Sequence, residues 1–270
     1  FNTNDLTTLS GNTVSITDTS ITETTDNAYV DDLRINGENG VTLSNVTVTG
    51  EELLTIESDA DVTLNNVIMT DGSVNIGRAP VENTVENIIV SGSNLLGLNV
   101  KGQTIDILNS VIGNAIDIIG FEVRNNIEAF DINVNGSTIG SVEMGVQGII
   151  DNTYHKDTNG GPEYFLTIEK NPLVNSGIVI TDSELNGRYT GAKTDETIDI
   201  NNSLIQSNST YLTGRVVDID TTTKVTPIEY DNGSYLNYGR VYIYGVGSGA
   251  LINIDGLVGD IDRADRILIK

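Results

Sequence analysis

A ten-residue phrase occurs twice within 41–71, and this duplication restricts the possible folds of the chain more than any other feature. Val41-Thr-Leu-Ser-Asn-Val-Thr-Val-Thr-Gly50 returns 21 residues later as Val62-Thr-Leu-Asn-Asn-Val-Ile-Met-Thr-Asp71. The first, second, third, fifth, sixth and ninth positions are identical. Each copy alternates apolar and polar residues, as a strand does when one of its faces is buried. A strand that recurs about once per ~20–30 residues, with no helical period between copies, points to a solenoid of β coils.

The phrase reduces to a rule: an aliphatic residue, one spacer, then Asn, Asp or Ser, and an aliphatic residue three further on. Asp18, Asn45, Asn66, Asn109, Asp182 and Asn202 each occupy the third position of such a match, and Val134-Asn-Gly136 fits with Gly at the turn position. Between 66 and 109 the pattern blurs, and the spacings of 43 and 46 residues in the series allow one or two coils per interval. The aliphatic pair is expected to point into a shared interior. The turn residue bends the chain between strands, because Asn, Asp and Gly tolerate left-handed backbone angles. Asn at equivalent positions of adjacent coils is expected to stack as an amide ladder. A dozen or so coils at the ~4.8 Å inter-strand spacing would form a rod of about 55–60 Å.

The charge is lopsided, with 38 acidic and 14 basic residues and a net of −24. A nucleic-acid partner is disfavoured, since phosphate binding needs Lys and Arg, and so is attraction to anionic lipid. No run approaches the ~18 apolar residues of a membrane helix, so direct membrane insertion by this segment is not expected. The chain has no cysteine and a single histidine, His155, which excludes disulfides, thiolate chemistry and a multi-histidine metal site. No metal or other cofactor is expected. Calcium is the one open alternative, at the oxygen-rich loops beginning Asp157-Thr-Asn159 and Asp231-Asn-Gly-Ser234, which also read as ordinary turns.

Two stretches break the repeat. Around 145–176, Asp151-Asn-Thr-Tyr-His-Lys156 and Asn159-Gly-Gly-Pro162 read as a loop or hairpin leaving the rod, and a second excursion is expected near 188–197. Loops borne on a rigid scaffold often carry function. The candidate binding residues are therefore Tyr154, His155, Lys156 and Tyr164 in the first excursion, and Arg188 and Tyr189 in the second. The composition also shifts along the chain. Residues 1–150 hold 21 acids and 4 bases, whereas 151–270 hold 17 acids, 10 bases and nine of the ten tyrosines. Tyr230, Tyr235, Tyr238, Tyr242 and Tyr244 lie close together, either on the outer face of a continuing coil or as an aromatic binding strip.

The aliphatic-x-Asn-Ser-x-Ile phrases, the Thr-, Asn-, Gly-, Ile- and Val-rich composition and the missing cysteine together resemble right-handed parallel β-helix proteins, above all the passenger domains of bacterial autotransporter adhesins. The resemblance covers about residues 10–260 and is one of texture, with no diagnostic motif. It implies an all-β chain, one right-handed parallel β-helix over 1–270, that is a fragment of a longer surface protein. It also implies an extracellular location on the bacterial surface, with anchoring to the outer membrane through a barrel outside this segment. Such rods bind host-cell or bacterial proteins and glycans, or associate with themselves, and the expected activity is binding rather than catalysis.

The same fold hosts enzymes. A polysaccharide lyase or glycoside hydrolase would find its best candidates in Arg215, Asp218 and Asp220, although no Gly-His-Gly or Arg-x-Lys motif accompanies them. A phage tail-spike-like receptor-binding rod is a further alternative, and it predicts a stable trimer.

Overall fold

A computed structural model of the chain describes residues 2–3, 7–23, 32–50, 53–77, 85–113, 125–129, 131–145, 149–156, 162–169, 177–228, 230–231, 236–237, 239–259 and 266–270. Within them the chain is all-β. Twenty-four strands hydrogen-bond into one large sheet in which the pairings are parallel. Two small antiparallel pairs stand apart, Ile149–Lys156 with Pro162–Glu169 and Tyr230–Asp231 with Leu236–Asn237. The arrangement is solenoid-like, because the chain visits three lanes in turn and each visit pairs with the next along the sequence.

The first lane runs through 14–17, 41–44, 62–65, 88–91, 105–108, 132–135, 178–181, 198–201, 216–219 and 251–254. The second holds the segments that follow the turn, from 19–22 and 46–49 through 184–187 and 204–207 to 257–258. The third begins at 7–11 and includes 53–58, 142–145, 189–193, 209–214 and 240–245 before 266–269. The ten or eleven rows so formed would extend roughly 45–50 Å at ~4.8 Å per row, somewhat shorter than a dozen coils would give.

The alternation seen in the sequence becomes the core. Leu43, Leu64, Val90, Ile107, Val134, Ile180 and Ile200 stack in register down the first lane, each with no exposure. Met69, Leu95, Ile112, Ile139, Leu185 and Ile205 do the same in the second lane. Burying one such side chain contributes about 1.5–3 kcal/mol. A single row has too few neighbours to bury its inner face, so the stack supplies the cohesion.

Every turn position picked out by the repeat rule is left-handed, from Asp18 (φ 48°) through Asn45, Asn66, Asn109, Gly136 and Asp182 to Asn202 (φ 45°). Gly92 (φ 58°) adds the row missing between 66 and 109. The 43-residue interval therefore holds two rows, and the 46-residue interval holds one row plus an inserted antiparallel pair. The amide ladder forms in segments: Asn45 Nδ2 donates to Asp18 Oδ1 (2.8 Å) and Asn66 Nδ2 to Asn45 Oδ1 (2.9 Å). Asn202 Nδ2 donates to Asp182 Oδ1 (2.6 Å). Donation always runs toward the N-terminal row, so an acceptor-only Asp heads each of these segments.

Behind the turn lies a second, buried ladder. Ser93, Ser110, Ser137, Ser183 and Ser203 directly follow the turn residue and point inward. Each Oγ accepts the backbone N–H of the equivalent residue one row earlier at 3.1–3.2 Å, as in Ser110 N to Ser137 Oγ. Each also donates to the carbonyl two residues back, at 2.6–3.1 Å. A hydroxyl here satisfies an amide that the sharp turn would otherwise leave buried without a partner.

One expected departure is absent. The chain does not leave the stack at 188–197: Glu184–Lys193 is a single strand paired over its length with Leu204–Gly214, and Thr197–Asn201 resumes the first lane. The pattern looked broken because a glycine-assisted corner falls at 187–188, where the outward alternation resets.

Candidate functional site

The corner at Gly187 is a close approach. A Cβ there would lie 2.4 Å from the Ser141 backbone nitrogen, so only glycine fits. The tight contact lets the Ser141 Oγ accept both the Arg188 N–H (2.8 Å) and the Tyr189 N–H (3.3 Å). Arg188 is thereby held at the corner and Tyr189 begins the outward series of the third lane. Gly191 follows in register beside Tyr211, and the Tyr189 ring lies across it: a Cβ on Gly191 would sit 2.7 Å from the Tyr189 Cε1. The missing side chain gives the ring its seat.

From that seat a column of tyrosines descends the outer face. Tyr189 stacks on Tyr211 with centroids 5.5 Å apart and planes at 29°. Tyr211 stacks on Tyr242 at 4.9 Å and 11°. Tyr244, two residues along the same strand as Tyr242, lies parallel to it at 6.1 Å and 5°. All four are half-buried. Offset aromatic pairs contribute about 0.5–1.5 kcal/mol each beyond the area they bury, so the column also stiffens the face that carries it.

Four successive rows give this face eleven outward positions with described side chains. They read Tyr189, Gly191 and Lys193; Ser209, Tyr211 and Thr213; Arg240, Tyr242 and Tyr244; and Leu268 and Lys270. None is acidic, in a chain with 38 acids. Further toward the N-terminus the same lane carries Glu57, Glu128 and Glu143 outward. Glu143 pairs with Lys193, marking the boundary of the acid-free face, and Lys101 pairs with Glu128 at 3.5 Å. Arg240 and Lys270 are exposed, and neither pairs with a carboxylate among the described residues.

The other sequence candidates are placed as follows. Tyr154, His155 and Lys156 lie in the strand Ile149–Lys156 and Tyr164 in Pro162–Glu169, with Tyr154 opposite Tyr164 and His155 opposite Glu163. These two strands are the hairpin expected within 145–176, although their side chains lie outside the described residues. The hairpin is inserted between the third-lane strand Val142–Gly145 and the first-lane strand Gly177–Thr181. The calcium candidates at 157–159 and 232–234 also fall outside the described residues.

The lyase candidates have other partners. The Arg215 guanidinium contacts Glu196, and Asp218 points outward in register between Asp199 and Asn253. Asp220 closes the enlarged turn between Val216–Ile219 and Lys224–Pro227. Its carboxylate accepts the Thr222 hydroxyl (2.6 Å), the Thr223 hydroxyl (2.6 Å) and the Thr223 and Asn202 amides (2.9 and 3.1 Å). The two threonine hydroxyls, with smaller help from the amides, lower its pKa from 3.8 to about 2.

Sequence reasoning flagged Tyr189 and, separately, Tyr242 and Tyr244 within the 230–244 tyrosine cluster, and passed over Tyr211. They form one surface because the 20 residues from Gly191 to Tyr211 and the 31 from Tyr211 to Tyr242 each equal one row, with Tyr189 leaning across Gly191 onto Tyr211. Comparison with protein-family models, curated proteins and solved structures finds no match.

Proposed function

We propose that this chain is a right-handed parallel β-helix from an extracellular, surface-displayed adhesin, acting by binding through a face of the rod rather than by catalysis. The observation that carries the reading is the tyrosine column Tyr189–Tyr211–Tyr242 on the outer face of the third lane. Tyrosine supplies a large, rigid, amphipathic contact area at low entropic cost, and with arginine it dominates the energetic centres of binding surfaces. Arg188 and Arg240 flank the column, and a continuous parallel sheet behind it limits the ordering cost of binding. Half-burial anchors each ring while leaving part of it open to solvent. The autotransporter-passenger resemblance of the repeat phrases agrees with a displayed rod, and the 149–169 hairpin offers a second contact at the same end of the stack.

The test is attachment of beads coated with the purified chain to epithelial and bacterial cells. Replacing Tyr211 and Tyr242 by Ala is expected to reduce attachment at least fivefold while the β circular-dichroism spectrum stays unchanged. Attachment equal to that of the unaltered chain would remove the tyrosine face from the reading. Absence of attachment by the unaltered chain to any cell type would remove the adhesin reading itself.

A further inference from the structure

We propose that the acid-free face of the third lane is a docking surface for a polyuronate, a polysaccharide with one carboxylate on each sugar. The inference rests on the binding reading above and specifies its ligand. Eleven adjacent outward positions carry four tyrosines, three cations and no acidic side chain, whereas acids outnumber bases 38 to 14 in the chain as a whole. Lys193 is paired with Glu143, which leaves Arg240 and Lys270 to meet an anion.

Three features favour a sugar acid over an acidic peptide. The face is rich in hydroxyls, with four tyrosines, Ser209 and Thr213, and Leu268 is its one aliphatic outward residue, so an amphipathic peptide would find little to seat its apolar side chains. Arg240 and Lys270 are exposed on neighbouring strands at opposite ends of the row, Arg240 before Tyr242 and Lys270 beside Tyr244. Two cations set apart on the face suit carboxylates held at intervals along a stiff sugar chain. Finally, the rows recur every ~4.8 Å, presenting aromatic rings and charges along a line that suits an extended repeating polymer.

The net charge of −24 repels any polyanion at long range. At physiological ionic strength the Debye length is about 8 Å, so an arriving chain responds mainly to the face directly beneath it.

The experiment immobilises the full 270-residue chain and measures retention of alginate, with dextran as the neutral control and poly-glutamate as the acidic-peptide control, at 150 and 500 mM NaCl. The expected result is retention of alginate alone, at least fivefold weaker at the higher salt. Arg240→Glu with Lys270→Glu should weaken it at least tenfold, and the milder Arg240→Gln with Lys270→Gln should weaken it less. Arg34→Glu, on the same lane but outside the face, should leave it unchanged. No retention of alginate overturns the proposal, as does retention insensitive to the paired substitutions. Equal retention of poly-glutamate overturns it in favour of an acidic protein partner. Cell attachment measured on the same samples separates the two readings: attachment without alginate retention refutes only this ligand, and loss of both refutes the binding role.

Discussion

Asn125 is the most demanding polar side chain in the core. It is buried and joins three segments: its Oδ1 accepts the Leu98 N–H at 2.8 Å, and its Nδ2 donates to the Gly113 carbonyl at 2.9 Å and the Ser141 carbonyl at 3.0 Å. Replacing it with Leu preserves bulk and removes all three bonds. The Ser141 carbonyl still accepts the Asn125 backbone N–H at 2.9 Å, so two groups lose this partner, the Leu98 amide and the Gly113 carbonyl. An orphaned buried group costs about 1–3 kcal/mol, giving about 2–6 kcal/mol for the pair. With an unfolding entropy of ~2.1 cal/mol/K per residue, a chain of this size should lose roughly 4–10 °C of Tm. Asn125→Asp sharpens the test, because it keeps the acceptor for Leu98 but turns the donor toward two carbonyls into an acceptor. Burial then raises the carboxyl pKa above its unfolded value. The folded state holds the extra proton, and stability falls as pH rises through that window. Thermal melts by circular dichroism at pH 4.5 and 7, with hydrogen exchange at the Leu98 amide as a local readout, decide the matter. An Asn125→Leu chain melting within 1 °C of the unaltered one, with Leu98 still protected, would refute this account. So would an Asn125→Asp chain no less stable at pH 7 than at pH 4.5.

Two further outcomes follow from the turns. Asp220, with its pKa lowered to about 2, stabilises its turn fully above the ordinary carboxylate value of 3.8 and loses that contribution as pH falls toward 2. An NMR titration should show the Thr222 and Thr223 resonances shifting near pH 2, and a midpoint at or above 3.8 would contradict the cap. Gly92 is left-handed with nothing within 4 Å of a built Cβ, so Gly92→Asn should fit and limit the unfolded chain, stabilising by about 0.4–1 kcal/mol. Gly92→Val, branched at a positive φ, should instead destabilise, and a denaturant series that ranks Val above Asn would overturn the ladder logic.

Local rules were legible wherever one residue type has one physical reason to be there. All seven turn positions read from the sequence adopt left-handed angles, because Asn, Asp and Gly are the residues that reach them at least cost. Gly92 obeys the same rule in Val90-Ser-Gly-Ser-Asn-Leu95 and was obscured by weaker flanking alternation. The serine after the turns at Gly92, Asn109, Gly136, Asp182 and Asn202 was visible in the sequence, yet its role was not. A serine beside a turn Asn ordinarily faces solvent, and only the stacking of rows turns its hydroxyl into the acceptor for the preceding row's amide. Asn125 carried no signal at all, since its three partners lie 12, 16 and 27 residues away.

The candidate binding face was hidden for a related reason. In a solenoid, neighbours on a face are separated in sequence by whatever each row spends on its corners, so a surface becomes readable only once every insertion has been assigned to a corner. The 31 residues from Tyr211 to Tyr242 include the antiparallel pair Tyr230–Asp231 with Leu236–Asn237, and those from Gly145 to Gly177 contain the pair Ile149–Lys156 with Pro162–Glu169. Both insertions leave the register of the flanking rows intact: Leu212 pairs with Ile243, and Met144 with Ala192, as though nothing intervened. Loop closure grows only as about 1.5 RT times the logarithm of length, so lengthening such a corner costs less than 1 kcal/mol per doubling. Row-to-row pairing across the insertion is unaffected by that small cost. The architecture can therefore add or remove corner loops while the tyrosine face, which depends only on register, keeps its shape.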